Sequence, residues 1–328
     1  MLRLPEYRYH RPTRIAEVQA LLAEHGAEAR VVAGGTDLIP NMKHRLFEPA
    51  HLIGLSAVEE LRGVTVDDDV LDIGAATTLD ELGRNAEVRR HAPALAEAAR
   101  HVAGPQIRNR GTIGGNLCLD TRCTYYNQTE FWRTALGFCL KKDGDTCHVT
   151  RVGKKCVAAH SADTPPVLMV LDAEVDGVGP SGPWTHAVKD LFVADGIHNT
   201  RLEAGDVVTR IRVPISAARR CVYRKLRQRQ AVDFPLLTVA VAATRVDGGW
   251  SDLRGVVTGL GSRPRWISGW DRIFGGGPLD DEGIDELAQR AWAQCHPLEN
   301  MIVDPEWRRA MVPVEVTRAL KELRAREG

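Results

Sequence analysis

The hydrophobic pattern changes period along the chain. Ile15, Val18, Leu21 and Leu22 recur at helical spacing. Thr13 is a candidate cap for that helix and Gly26 a candidate stop. Residues 29–33 then form a short apolar run, and residues 52–55 a second one, so residues 1–56 read as a small α/β unit. A second unit, residues 57–218, opens with strands at 64–66 and 70–74 around the turn Asp67-Asp68-Asp69. Thr78 is placed to cap a short helix, and a longer helix over about residues 92–102 begins at Pro93. Residues 167–171 and 208–213 read as buried strands, the latter stopped by Pro214. A third unit, residues 219–328, offers strands near 221–225, 236–244 and 256–260. Two helices follow, lined by Ile284, Leu287 and Ala291 and by Val316, Leu320 and Leu323.

Charge does little to this picture. Lys plus Arg equals Asp plus Glu, 43 each, among 328 residues. No basic face or known module suggests a nucleic-acid partner. No stretch approaches the roughly 20 apolar residues of a membrane span. The first residues lack the apolar core of a signal peptide, so the seven cysteines read as reduced thiols of a cytoplasmic protein.

Two glycine-rich stretches stand out. Residues 29–33 run directly into Gly34-Gly35-Thr36-Asp37-Leu38. Without Cβ atoms, such a turn lets several backbone N–H groups converge on a phosphate. It is neither a Walker A loop nor the G-x-G-x-x-G fingerprint. The second stretch, residues 111–116, carries a hydroxyl at Thr112 and an amide at Asn116. Two such loops from one α/β region suit the diphosphate and ribityl of a flavin dinucleotide; two unrelated tight turns are the alternative.

Between them and His160 lies a segment of different character. Cys123, Cys139, Cys147 and Cys156 occur at C-x15-C-x7-C-x8-C, with Tyr125, Tyr126, Phe131, Trp132 and Phe138 among them. Four thiolates suit an iron–sulfur cubane or a tetrahedral zinc. Zinc sites usually pair cysteines two to four residues apart, and His148 is a further candidate ligand beside Cys147. Cys118, Cys221 and Cys295 fall outside the pattern and read as packing thiols.

AGGTDL at 33–38, followed by IRNRGTIGGNL at 107–117, resembles the FAD-binding medium subunit of the molybdenum hydroxylase, or xanthine dehydrogenase, family. Ser161-Ala162-Asp163-Thr164-Pro165-Pro166 and the Lys225 to Asp233 segment fit the same pattern. The cysteine segment, about 118–158, with CTYYNQTEFWR at 123–133 and VDFPL at 232–236, is similar to the 4-hydroxybenzoyl-CoA reductase β-subunit branch, which carries a [4Fe–4S] cluster in an insert there. The surroundings of Arg108 and of Ser161 look more like the general hydroxylase version.

The resemblance implies an α+β fold. A two-part FAD-binding domain of the PCMH, or vanillyl-alcohol-oxidase-like, type would carry a cysteine-rich insert, and a C-terminal α/β domain of the CO dehydrogenase flavoprotein type would follow. Val32, Ala33, Gly34, Gly35, Thr36, Asp37 and Leu38 would hold the diphosphate, with Thr112, Gly114, Gly115 and Asn116 in the second loop. Asp163 would bind ribityl or ribose hydroxyls, Lys225 would lie near the isoalloxazine, and Val102 and Val208 would pack on its rings. Cys123, Cys139, Cys147 and Cys156 would be the cluster ligands.

No residue reads as a nucleophile or general base, and none is required of an electron-transfer subunit. The implied partners are a large molybdenum-cofactor subunit, a small [2Fe–2S] subunit and reduced ferredoxin as donor. The implied reaction is reductive dehydroxylation of 4-hydroxybenzoyl-CoA to benzoyl-CoA. A hydroxylase oxidising an aromatic or N-heterocyclic substrate and a free-standing flavoprotein are the competing readings.

Overall fold

A computed structural model describes residues 2–151 and 153–326. The first sheet is parallel, ordered β1 (Arg8–His10), β3 (His51–Gly54), β2 (Ala29–Val32). The helix Ile15–His25 joins β1 to β2 and buries Val18 against Ile53 and Leu55. Gly26 ends it at a φ of 51°, as expected. Thr13 does not cap it: Arg14 holds that position without a side-chain bond, and the Thr13 amide donates to Glu17 at 2.7 Å.

The second sheet is antiparallel and takes strands from both sides of the cysteine segment. Its order is β4 (Val64–Asp67), β5 (Val70–Gly74), β8 (Val207–Pro214), β6 (Glu174–Gly179), β7 (Gly182–Ala187). Helices Leu79–Arg84, Ala86–His91, Pro93–His101 and Pro165–Val170 contribute residues to the core it shares. Thr78 and Glu81 form a reciprocal capping box, satisfying two otherwise orphaned amides.

Here the chain departs from its apolar pattern twice. Residues 167–171 were expected to be a strand, but Pro165–Val170 is a helix. Pro165 and Pro166 sit in its first turn, where a missing N–H costs nothing. All six residues are buried, so no amphipathic period betrays it. The β6–β7 hairpin carries no apolar run at all. It depends on Gly177, over which the Trp184 ring lies so closely that a Cβ would stand 2.0 Å from it.

The third sheet is antiparallel: β9 (Arg219–Leu226), β10 (Leu237–Val246), β11 (Gly249–Thr258) and β12 (Arg265–Trp266). The third strand thus spans Gly249–Thr258, beginning before and ending short of the expected 256–260. β10 is buried on both faces. Leu237, Val239, Val241 and Ala243 meet helices Asp281–Gln294 and Pro305–Ala325, while Ala240 and Ala242 join the core of the second sheet. The last two units therefore share a continuous interior. Among the described residues, no helix is long and apolar enough to cross a membrane.

Leu320 is wholly buried between the last helix and β10. Leu320→Ala should cost about 2–5 kcal/mol through lost burial and a residual cavity. Denaturant unfolding should register that loss while flavin per folded chain stays constant. A loss below about 1 kcal/mol would mean that this contact does not secure the C-terminal layer.

Candidate functional site

The two glycine loops meet backbone to backbone. A Cβ on Gly34 would lie 1.8 Å from the carbonyl oxygen of Arg110, and one on Gly114 would lie 2.8 Å from that of Ala75. Gly35 has a φ of 71°, conformationally cheap only for glycine. The second stretch is not an open loop. Residues Ile113–Leu117 make a short helix, and the Thr112 hydroxyl caps it by accepting the Gly115 amide at 3.1 Å. The amides of Ile113, Gly114, Gly115 and Asn116 bond Thr77, Ala75 and Thr112, which locks this turn onto the scaffold.

Asn116 links this helix to the carboxylate segment. Its Oδ1 accepts the Thr164 amide at 3.0 Å and the Thr164 hydroxyl at 2.7 Å, both buried. Next to Thr164, Asp163 is 3% exposed. It accepts the Tyr223 hydroxyl at 2.6 Å and the Lys225 ammonium at 2.9 Å. Burial raises the Asp163 carboxyl above its ordinary range, opposed by Lys225 and Tyr223. Lys225 also donates to the His101 carbonyl at 3.0 Å. Burial, with Arg227 and Lys225 adding to it, lowers the His101 imidazole to about 4. Sequence reasoning missed Tyr223; its two-residue offset from Lys225 on one strand was the available signal.

Val32 ends β2 and Leu38 begins the helix Leu38–Lys43, with Asp37 at its N-cap. Val102 follows the helix Pro93–His101 and packs against the large core, of which Val208 on β8 is part. The arrangement fits FAD. Two loops are stripped of side chains where they converge, and the buried Ser161 hydroxyl beside the Asn116–Thr164 link has no protein partner.

The cysteine segment is tied to the first loop and to the helix that follows it. Arg122 enters it bonded to Asp37 of the first loop and lies 4.8 Å from the Phe234 ring. Arg133, 1% exposed, donates to the carbonyls of His44 at 2.8 Å and Arg45 at 3.2 Å, where the helix Leu38–Lys43 ends. Lys141 bonds Asp120 and Thr121, each at 2.6 Å. Asn300 ties the segment to the C-terminal domain through Val157, at 2.6 Å.

Cys123, Cys139, Cys147 and Cys156 all line one cavity. Amides approach the sulfurs: that of Ala158 donates to Cys156 Sγ at 3.5 Å, and those of Tyr125 and Tyr126 act on Cys123. Burial raises the Cys123 thiol and pushes Cys156 up to about 11. At Cys147 the amides of Thr150, Val149 and Val157 outweigh burial and leave the thiol below its ordinary range. His148 lines the same cavity, with its Nε2 against the Phe138 carbonyl. Cys221 and Cys295 are buried as expected, but Cys118 is exposed. It caps the C-terminus of the short helix, whose other residues supply the buried face.

Two glycine loops and a buried carboxylate thus lie in one region of the fold, an arrangement that suits a flavin dinucleotide. Residues 5–216 match the family described as the FAD binding domain in molybdopterin dehydrogenase. Residues 222–323 match the CO dehydrogenase flavoprotein C-terminal domain. The chain belongs to the family of FAD-binding medium subunits of molybdenum hydroxylases and CO dehydrogenases. It is 31% identical to the carbon monoxide dehydrogenase medium chain of Hydrogenophaga pseudoflava, covering 98% of each chain. It is 29% identical to an aldehyde oxidoreductase FAD-binding subunit of Escherichia coli, over 89% of this chain and 91% of that one. Among solved structures, carbon monoxide dehydrogenase from Hydrogenophaga pseudoflava superposes with a TM-score of 0.80 at 29% identity, over 99% of both chains. These matches support the flavin. They do not support the [4Fe–4S] cluster, the dehydroxylating specificity or the ferredoxin donor expected above.

Gly34→Ala should force the two loops apart, because its clash is with backbone that cannot rotate away. The purified variant should keep its far-UV circular dichroism and lose most of its bound FAD, read as the ratio of flavin to protein absorbance. Full flavin occupancy would show that the close approach of Gly34 to Arg110 is not needed for binding.

Proposed function

We propose that this chain is the FAD-carrying electron-transfer subunit of a heteromeric molybdenum enzyme, and that Cys123, Cys139, Cys147 and Cys156 hold an additional [4Fe–4S] cluster. The partners in this reading are a large molybdenum-cofactor subunit and a small [2Fe–2S] subunit. One observation carries it: four cysteines spread over 34 residues line a single cavity, in a segment whose first residues are bonded to the flavin loop. We take residues 1–56, 57–218 and 219–328 as the three domains.

The sulfurs favour a cluster over zinc. Among the described residues, no three cysteine sulfurs lie within 4.8 Å of one another. A tetrahedral zinc with Zn–S bonds of about 2.3 Å would hold its sulfurs roughly 3.8 Å apart. The amides directed at Cys123, Cys147 and Cys156 would temper thiolate charge, one of the protein's levers on cluster potential.

When bound, the flavin exchanges electrons singly or in pairs. The protein's own part is to hold and insulate. The glycine loops bind the diphosphate, Asp163 is fixed between Tyr223 and Lys225, and Lys225 places a buried positive charge beside the site. Arg122 keeps the cysteine segment on the first loop.

For substrate, the segment 123–156 favours reductive dehydroxylation of 4-hydroxybenzoyl-CoA with electrons from reduced ferredoxin. The second reading is an oxidising hydroxylase, favoured by the identity to the carbon monoxide dehydrogenase and aldehyde oxidoreductase chains.

Metal analysis, acid-labile sulfide and EPR of the anaerobically purified, dithionite-reduced complex separate these possibilities. The expected result is about four iron atoms per chain beyond those of the partner subunits. Cys139→Ser should lose that iron and block reduction by ferredoxin while keeping bound FAD. Zinc in place of iron would sink the cluster, and a Cys139→Ser complex with full ferredoxin-dependent turnover would sink the electron-entry role.

A further inference from the structure

Beside the first sheet three histidines meet that the flavin reading does not use. His10 is the last residue of β1, His51 the first of β3, and His25 the last of the helix between β1 and β2. They are far apart in sequence, and the fold brings them together. One ring nitrogen from each lies within 4.8 Å of the other two. His10 Nε2 and His51 Nδ1 are 2.8 Å apart, and the His25 ring stacks on His51 with centroids 3.7 Å apart.

We propose that His10, His25 and His51 form a binding site for a divalent transition metal of the zinc class, clipping β1, β3 and the intervening helix at one edge of the subdomain that carries the first flavin loop. Imidazole nitrogen is a preferred ligand of Zn2+ and its neighbours in the first transition row, and three histidines leave a fourth position for water. All three side chains are half-buried, so that position is within reach of solvent.

The spacing of the nitrogens is close to what such an ion needs, and the His25 ring, stacked on His51 at 14° between planes, would turn out of the stack to aim its nitrogen at the same point. Zn–N bonds of about 2.0–2.1 Å place tetrahedral nitrogens roughly 3.3 Å apart. The 2.8 Å contact of His10 with His51 is that of a shared proton, which a cation would replace by opening the pair about half an ångström. Glu24 lies 3.7 Å from His25 Nε2, near enough that a small turn of its side chain would let it take that ring N–H and orient the ligand. Arg8, on the same strand as His10, is the opposing charge, and Glu24 offsets it.

The test uses the tag-free full chain, stripped with chelator and titrated with Co2+. One equivalent should give the visible d–d absorption of tetrahedral Co2+ with nitrogen ligands, without a thiolate charge-transfer band, and Zn2+ should displace it. Zn2+ should also raise the melting temperature. His51→Gln and His25→Gln should each abolish both effects while retaining wild-type FAD content, which shows that they fold. Glu24→Gln should weaken binding roughly tenfold. The proposal fails if no d–d band forms, if the only band is the thiolate type that marks binding at the cysteines, or if the band survives in His51→Gln.

Discussion

The meeting of the two glycine loops depends on one steric constraint: two stretches of backbone must touch with no side chain between them. Gly34 and Arg110 belong to different sheets' connections, yet the space where a Gly34 Cβ would stand is taken by the Arg110 carbonyl. Loops can approach this closely only where glycine stands and where both ends are held. On one side the hold is parallel pairing of β2 with β3. On the other, the Leu79 amide bonds the Gly111 carbonyl at 2.8 Å and the Ile113 amide the Thr77 carbonyl at 3.0 Å. The cradle is thus part of the scaffold, which reduces the ordering cost a ligand must meet on binding.

The cysteine segment lacks long regular elements, with one described helix, Glu130–Leu136. Cations hold it: Arg122 reaches out to Asp37 and Arg133 to the carbonyls ending the helix Leu38–Lys43, while Lys141 ties it internally to Asp120 and Thr121. Arg133 at a helix C-terminus satisfies carbonyls that lack intrahelical partners and meets the negative end of the dipole. A segment built in this way packs little apolar surface. Leu46, Tyr126 and Cys139 form its small core. Its order therefore rests on buried polar contacts, which cost most when one partner is lost.

These contacts also explain what the sequence made legible. The glycine stretches, the capping box at Thr78 and Glu81, and the strands β2 to β5 carry local signals, and local signals suffice for them. The helix Pro165–Val170 does not, since a helix buried all round shows no polar face and resembles a buried strand. Nor does the hairpin of β6 and β7, whose stability comes from Trp184 over Gly177 and from pairing with a strand some thirty residues on. At the site, Asp163 and Lys225 were readable as residues but not as a pair, because 62 residues separate them. Tyr223 and the histidine trio, likewise, acquire meaning only from long-range contacts.

The Asp163–Lys225 pair shows why the two family domains act as one unit. Both side chains are almost wholly withdrawn from water, at 5% and 1% exposure. Replacing such a pair with apolar groups is often neutral, whereas losing one member costs roughly 3–5 kcal/mol. Net stability alone is therefore a weak reason for its presence. Its geometry supplies a better one. Asp163 belongs to the flavin-binding domain, while Tyr223 and Lys225 lie on β9 of the C-terminal sheet. Between them on the opposite face of β9, Arg224 pairs with Glu315 at 2.9 Å and Glu322 at 3.3 Å on the last helix. One strand thus couples the buried Asp163 carboxylate to the C-terminal layer. A shift of that layer would disturb the carboxylate directly, so the two domains are coupled through Asp163.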